Sequence, residues 1–355
     1  MDFIELSRTA IIIILGAIGL ATFGIIFGLL YKGVDRKISA HMQGRIGPPI
    51  RQPFRDVSKL FVKENIIPEN AISWVFNLAP LVGLAATISI LLYLPIGGFQ
   101  PLLDGVISAK GDLILILYLL IIPSLAMVIG GFASGSPYAT VGAQREMATM
   151  IAYEFPLAII IISFAFRLYA QQASNVFTLS TITATPIWGI VGPVGFIGVI
   201  ILLLALVIVT PAELSKIPFD APEAETEIAG GLLVEYSGRN LAMFYLTDGV
   251  KTVVMASLIV ALFFPYNLSP IFGVTEIPAF AIDIVFYLIK VLVVIVLSVT
   301  LIRVAIARLK IDQIVYTYWV WITLMALIGL ILLMWDQKAM AEFNWEPILK
   351  MLGIV

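Results

Sequence analysis

The sequence predicts an all-α, polytopic membrane protein of about eight transmembrane helices. Two observations carry that reading. Of 355 residues, 61% are hydrophobic and only 12% are charged, against the roughly 25% charged residues of ordinary soluble domains. The apolar residues also gather in long runs, each of about 20 residues, enough for a helix to cross the hydrocarbon core. Strands are not an economical alternative, because lipid offers unpaired backbone groups no partner.

The runs lie at roughly 10–31, 72–96, 113–132, 148–168, 187–210, 242–264, 280–302 and 315–335. The first is too long for a signal-peptide core and lacks a small-residue cleavage site, so it is expected to be a retained span. Residues 32–71 follow as a basic loop. Within it Phe54, Val57, Leu60 and Phe61 fall on one helical face, while Arg55, Lys59 and Lys63 recur on the other. That pattern predicts an amphipathic helix lying in the interface plane, apolar side down on anionic lipid. Arg45-Ile46-Gly47-Pro48-Pro49 before it is too stiff to be helical throughout, which suits a docking platform for a peripheral subunit. The connections 97–112 and 265–279 are short and rich in Gly and Pro. Residues 1–335 read as one transmembrane domain, and 336–355 as a tail with scattered apolar residues that suit a short surface helix.

Orientation follows from Lys and Arg, which are retained on the inner side. With both termini outside, the inner segments 32–71, 133–147, 211–241 and 303–314 hold fourteen, and the outer segments only five. Both termini outside, with large cytoplasmic loops, is the expectation.

Composition excludes several functions. There is no cysteine, hence no iron–sulfur cluster, disulfide or thiolate metal site on this chain. His41 is the only histidine, so paired axial histidines for a membrane haem are impossible. A net charge of −2 gives no reason to expect nucleic acid. No metal or other cofactor is expected here, and any electrons in the system travel on other chains.

Chemistry is expected where acids persist. The loop 211–241 crowds Glu213, Asp220, Glu223, Glu225, Glu227 and Glu235. Asp220 with Pro222 and Glu223 resembles a helix start with an acidic first turn, which accounts for two of the six. Glu223, Glu225 and Glu227 at alternate positions are expected to repel one another and raise at least one pKa. On the fourth span Glu146 and Glu154 share a face, two turns apart. Asp248 and Lys251 are three apart on the sixth and could pair. Asp283 and Lys290 are two turns apart on the seventh. A charge at the bilayer centre costs roughly 2.5–3.5 kcal/mol on insertion scales, and neither Glu154 nor Lys290 has a local partner in the sequence. A chain of ionisable groups at membrane depth, fed by an acidic loop, suits a proton or ion path and needs no cofactor.

These residues also fall in three ordered signatures. The first runs through Arg36-Lys37, Met42-Gln43, Arg45, Gly47-Pro48, Gln52-Pro53, Asp56, Lys59-Leu60 and Lys63-Glu64. The second is Ala133-Ser134, Tyr138-Ala139, Gly142-Ala143, Arg145 and Tyr153-Glu154. The third is Ala212-Glu213, Pro218-Phe219-Asp220, Pro222-Glu223-Ala224-Glu225 and Glu235-Tyr236-Ser237-Gly238. Together they resemble the family of the H-type membrane subunit of respiratory complex I and its homologues in energy-converting membrane-bound hydrogenases and related reductases. The resemblance runs to about residue 335.

It implies a multi-pass plasma-membrane subunit joining a peripheral redox arm to antiporter-like membrane subunits. Iron–sulfur clusters, and a nickel–iron centre in the hydrogenases, would sit on the partners. The inner loops would form the floor of the cavity where quinone reacts in complex I. Glu154, Glu213, Glu223, Glu225 and Glu235 would be path or cavity residues, while Arg36, Gln43, Arg45, Lys59, Lys63, Arg145 and Lys216 would serve docking or the cavity wall. Asp35 replaces a usual Glu, Lys216 a usual Arg and Ala221 a larger apolar residue, and Arg145-Glu146-Met147 is more like the hydrogenase branch. These departures favour a ferredoxin-linked complex over a quinone-using one. A quinone- or phenazine-reducing complex, a passive anchor for a hydrogenase arm and a stand-alone transporter remain the alternatives.

Overall fold

A computed structural model describes residues 3–97, 112–171, 175–273 and 276–342, with side chains placed in 9–97, 112–171, 175–273 and 278–336. Eight helices are long and apolar enough to cross a membrane, and no strand occurs among the described residues. In chain order these and the one amphipathic helix are α1 (Phe3–Met42), α2 (Gln52–Val62), α3 (Ser73–Leu91), α4 (Leu113–Ala133), α5 (Pro137–Ala170), α6 (Pro193–Glu213), α7 (Gly238–Phe263), α8 (Pro278–Ala305) and α9 (Ile311–Asp336).

The axis of the bundle is α7. Its apolar window is 94% buried, against 6% for α1. α7 packs against α1, α3 and α8. Close approach to α1 depends on small residues: a Cβ on Gly28 would lie 2.5 Å from the Gly249 carbonyl oxygen. Around this axis α3 packs on α4, α4 on α5, α5 on α9 and α9 on α6. The outward face of α1 leaves Ile11, Ile14, Leu15 and Ile18 exposed, as lipid contact requires.

Two expected loops are largely helical. α1 continues to Met42 and α5 begins at Pro137, so both helices overshoot the bilayer at the same end, called the loop end below. At 34 residues, α5 is about 51 Å long. Charges such as Arg36 and Glu146 therefore stand on rigid extensions. α9 likewise continues as helix through Glu342, past the expected start of the tail; residues 343–355 lie outside the described residues.

α2 is amphipathic as expected, but its apolar side rests on protein. Val57 packs with Leu29 of α1 and Leu246 of α7, and Phe54 packs beside them, leaving Phe61 and Val62 exposed. Single π-helical stretches interrupt α8 at Val296–Thr300 and α9 at Thr317–Ile322, a feature often found at functional sites. The first ends on Thr300, whose hydroxyl donates to Asp35 of α1 at 2.7 Å. The second carries Tyr318, which donates to the Ile208 carbonyl at 2.7 Å and meets Phe219 edge-on at 5.1 Å between centroids.

Candidate functional site

The acidic segment after α6 is a string of tight turns rather than one helix: Ala221–Glu223, Glu225–Ile228 and Gly231–Leu233. Ser215, in the left-handed region at φ 48, reverses the chain as α6 ends. The segment is pressed onto α5 at Gly142, where a Cβ would come 2.7 Å from the Leu232 nitrogen and 2.9 Å from the Pro222 oxygen. Between it, α1 and α7 lies a cavity of about 390 Å³.

Buried charge at the site is organised in three groups. In the deepest, Lys251 Nζ lies 2.9 Å from Glu213 Oε1, both side chains almost fully buried. The same ammonium donates to Ser124 Oγ at 2.9 Å, and Ser124 lies 3.3 Å from the Tyr153 hydroxyl. Glu146 is wholly buried and accepts from Ser215 Oγ at 3.3 Å. Glu154, two turns further along α5, is half-buried, and its Oε1 has no hydrogen-bond partner. Glu213 and Lys251 act on both Glu146 and Glu154 electrostatically, so the α5 face predicted from spacing is completed by α6 and α7.

In the second group Asp248 receives two lysines, Lys32 at 2.5 Å and Lys216 at 2.6 Å. Lys32 also sits over the Tyr245 ring, 4.6 Å from its centroid. Burial alone would lower the Lys216 pKa, but the Asp248 carboxylate outweighs it and holds the ammonium above its usual range. Glu223 lines the same cavity. Burial pushes its carboxyl upward, an effect only partly offset by Lys216. A carboxyl with a raised folded-state pKa contributes stability that is fully present below its ordinary value of 4.5 and is lost as pH rises through the folded value. Glu223→Gln is therefore expected to flatten the fall in denaturation midpoint on raising the pH. Equal slopes in variant and parent would show that Glu223 titrates normally.

The third group closes the rim. Asp35 takes Arg303 at 3.0 Å and Asp220 takes both arms of Arg308, at 2.5 and 2.9 Å. Arg145 pairs with Glu227 at 2.6 Å and donates to the Ala221 carbonyl at 3.2 Å.

Several expectations are corrected. Asp248 and Lys251 do not pair with each other, because Lys251 turns to α6 and Asp248 to α1. Asp220 caps no helix; its oxygens are taken by Arg308. Glu223, Glu225 and Glu227 do not owe their environment to mutual repulsion: Glu223 faces the cavity, exposed Glu225 stands at its edge and Glu227 goes to Arg145. Burial is the largest effect on Glu223, and the like charges that add to it are Asp248 and Asp220 rather than Glu225 or Glu227.

Asp283 and Lys290 lie at the far end of the bundle, away from the cavity. Asp283 accepts from the backbone of Leu268 and Ser269 at 3.0 and 2.9 Å. Lys290 does have partners, the carbonyls of Phe264 and Tyr266 at 2.9 and 2.7 Å, where a cation suits the carbonyl end of α7. Half-buried Glu235 does not line the cavity. Arg36 pairs with Asp56 at 3.3 Å, exposed Gln43 accepts from Arg45, and Lys59 and Lys63 are exposed on α2 and just beyond it.

Lys32, Ser124, Arg303 and Arg308 were not among the candidate site residues, and Tyr153 entered only as part of the second signature. Lys32 gave one signal, a cation at the edge of an apolar run. Among the described residues no group of three or more His, Asp or Glu side chains could hold a metal ion.

An eight-span helical bundle with a charged cavity at one end and an acid–lysine cluster beneath it defines a membrane subunit built around buried ionisable groups. The chain belongs to the NADH dehydrogenase family, whose pattern matches residues 14–334. It is 31% identical over 331 residues to the H subunit of the NADH-quinone oxidoreductase of Brevibacillus brevis, covering 91% of this chain and 90% of that one. It is 35% identical over 242 residues to hydrogenase-4 component C of Escherichia coli K12, covering 67% and 71%. Among solved structures it is similar to a chain of an archaeal respiratory complex, the membrane-bound sulfane sulfur reductase. There the TM-score is 0.76 and the identity 28%, over 90% of this chain and 99% of that one. It is thus a membrane subunit of the complex I-related kind.

Proposed function

We propose that this chain is the ion-coupling subunit of a complex I-related redox complex in the plasma membrane. It links a peripheral hydrogenase-like arm, which carries the iron–sulfur and any nickel–iron centres, to antiporter-like proton- or sodium-translocating subunits. The observation that carries the reading is the cluster Glu146, Glu154, Glu213 and Lys251, held between α5, α6 and α7 directly beneath a cavity that Glu213 and Lys251 also line. Three acids around one lysine leave an excess of carboxyl groups in a low-dielectric setting, where proton uptake and release follow small changes in hydration or spacing. In this reading Asp248, Glu223, Glu225, Lys216 and Lys32 load the cluster from the loop end. The excess of Lys and Arg at that end supports a cytoplasmic loop end with both termini outside, and in this reading residues 1–335 act as one transmembrane domain. Asp283 and Lys290, spent on backbone groups at the far end, are assigned structural roles.

A quinone-pocket role is the second reading. The cavity volume falls within the range of small-molecule sites, but such sites are mostly apolar, and this one is ringed by lysine, arginine and carboxylate. The test is Glu213→Gln and, separately, Glu146→Gln in the intact complex, with ion transport and electron transfer measured on the same preparation. Ion transport per electron is expected to fall severalfold in each. Unchanged coupling in both variants would leave the chain a passive anchor.

A further inference from the structure

Outside the buried cavity, Arg36, Arg45 and Arg303 surround an open notch of about 620 Å³, beside Ser39, Gln43 and Ile46. Two of the guanidinium groups are engaged, Arg36 with Asp56 and Arg303 with Asp35. Arg45 is not. It is exposed, donates to the Gln43 side-chain oxygen, and has no described carboxylate within 4.0 Å. Next to it Ile46 is 100% exposed and Met42 48%. A single exposed apolar side chain needs no explanation; here it shares one notch with an unpaired guanidinium.

Depth decides which anion can reach this point. Residues 11–31 of α1 span the hydrocarbon, about 30 Å at 1.5 Å per residue. Residues 32–42 then carry the end of the helix about 16 Å further, beyond a headgroup layer about 5–8 Å thick. An average tilt of about 20° shortens that overshoot by only about 1 Å. Arg45 turns back onto α1, its nitrogen bonded to the Ala40 carbonyl, which leaves it about 13 Å past the hydrocarbon and above the lipid phosphates.

We infer that the notch seats a carboxylate side chain from a water-soluble partner protein, with Arg45 gripping both oxygens and Ile46 covered by the partner's backbone. A guanidinium presents parallel donors matched to a carboxylate, which gives direction as well as attraction. The inference rests on the reading that a peripheral arm docks at the loop end, and it deepens that reading by naming the contact.

The test uses the assembled complex with the photo-crosslinking residue p-benzoylphenylalanine in place of Ile46, a position whose full exposure tolerates the larger ring. The expected adduct is to a soluble subunit, in a segment with an aspartate or glutamate beside the attachment point. Adducts confined to phospholipid, or to this chain alone, overturn the proposal. In parallel, Arg45→Glu is expected to lower retention of the peripheral subunits through purification about tenfold, while Arg45→Lys, which keeps the charge and loses the fork, falls between. If Arg45→Glu retains them as the parent does, the seat is refuted while arm docking stands. If the parent carries no soluble subunit at all, arm docking fails and the seat falls with it.

Discussion

Replacing Lys251 by methionine is expected to destabilise the protein by about 3–5 kcal/mol, because removing one member of a buried ion pair strands the other. Methionine is close to lysine in length and leaves no large void, so the loss isolates charge from packing. Glu213 would lose its 2.9 Å partner, and Ser124 would lose the cation that donates to it. Glu146 and Glu154 would lose the one lysine acting on both. The measurement is the thermal or detergent denaturation midpoint of the purified complex. The double variant Lys251→Met with Glu213→Gln supplies the control: it removes both charges and is expected to recover most of the loss. A single-variant loss below about 1 kcal/mol, or no recovery in the double, would contradict a desolvated pair. The same substitution is expected to abolish ion coupling, since it removes the one cation that the three carboxyls share.

How much of this was legible beforehand depends on what sets each feature. Bilayer thickness sets run length, so the eight spans could be read from apolar stretches alone. Their ends could not. Lys32 and Arg36 look like loop residues by composition, yet α1 continues through both as rigid helix. Face-sharing on one helix was legible too: Glu146 and Glu154 stand as their spacing required. Partners on other helices were not. Lys32 and Asp248 are 216 residues apart, and Lys216 lies 32 before Asp248. The local rule that residues three apart on a helix meet favoured Asp248 with Lys251. Tertiary packing overrode it, because α6 delivers Glu213 to one side of α7 and α1 delivers Lys32 to the other.

The opposite end of the bundle holds a second buried pair that no spacing announced, and it separates structural charge from mobile charge. Arg167 Nη2 lies 3.5 Å from Asp336 Oδ2, and both side chains are as deeply buried as Lys251 and Glu213. Asp336 also accepts from the Gly192 nitrogen at 3.0 Å, at the start of α6, while Arg167 donates to the Ile190 carbonyl. Three elements, α5, the turn before α6 and α9, are thereby fastened together. Asp336→Ala strands a buried guanidinium and is expected to cost about 3–5 kcal/mol on the same denaturation assay. Asp336→Asn, which keeps an acceptor for Gly192, is expected to cost less. Ion transport per electron in the surviving Asp336→Asn complex should match the parent, because among the described residues this pair lies apart from the acid–lysine cluster and ties helices together. Lys251→Met should fail on both measures. If Asp336→Asn instead lost coupling while keeping its stability, burial of a pair would be no guide to its role, and the division of labour between the two ends of the bundle would have to be abandoned.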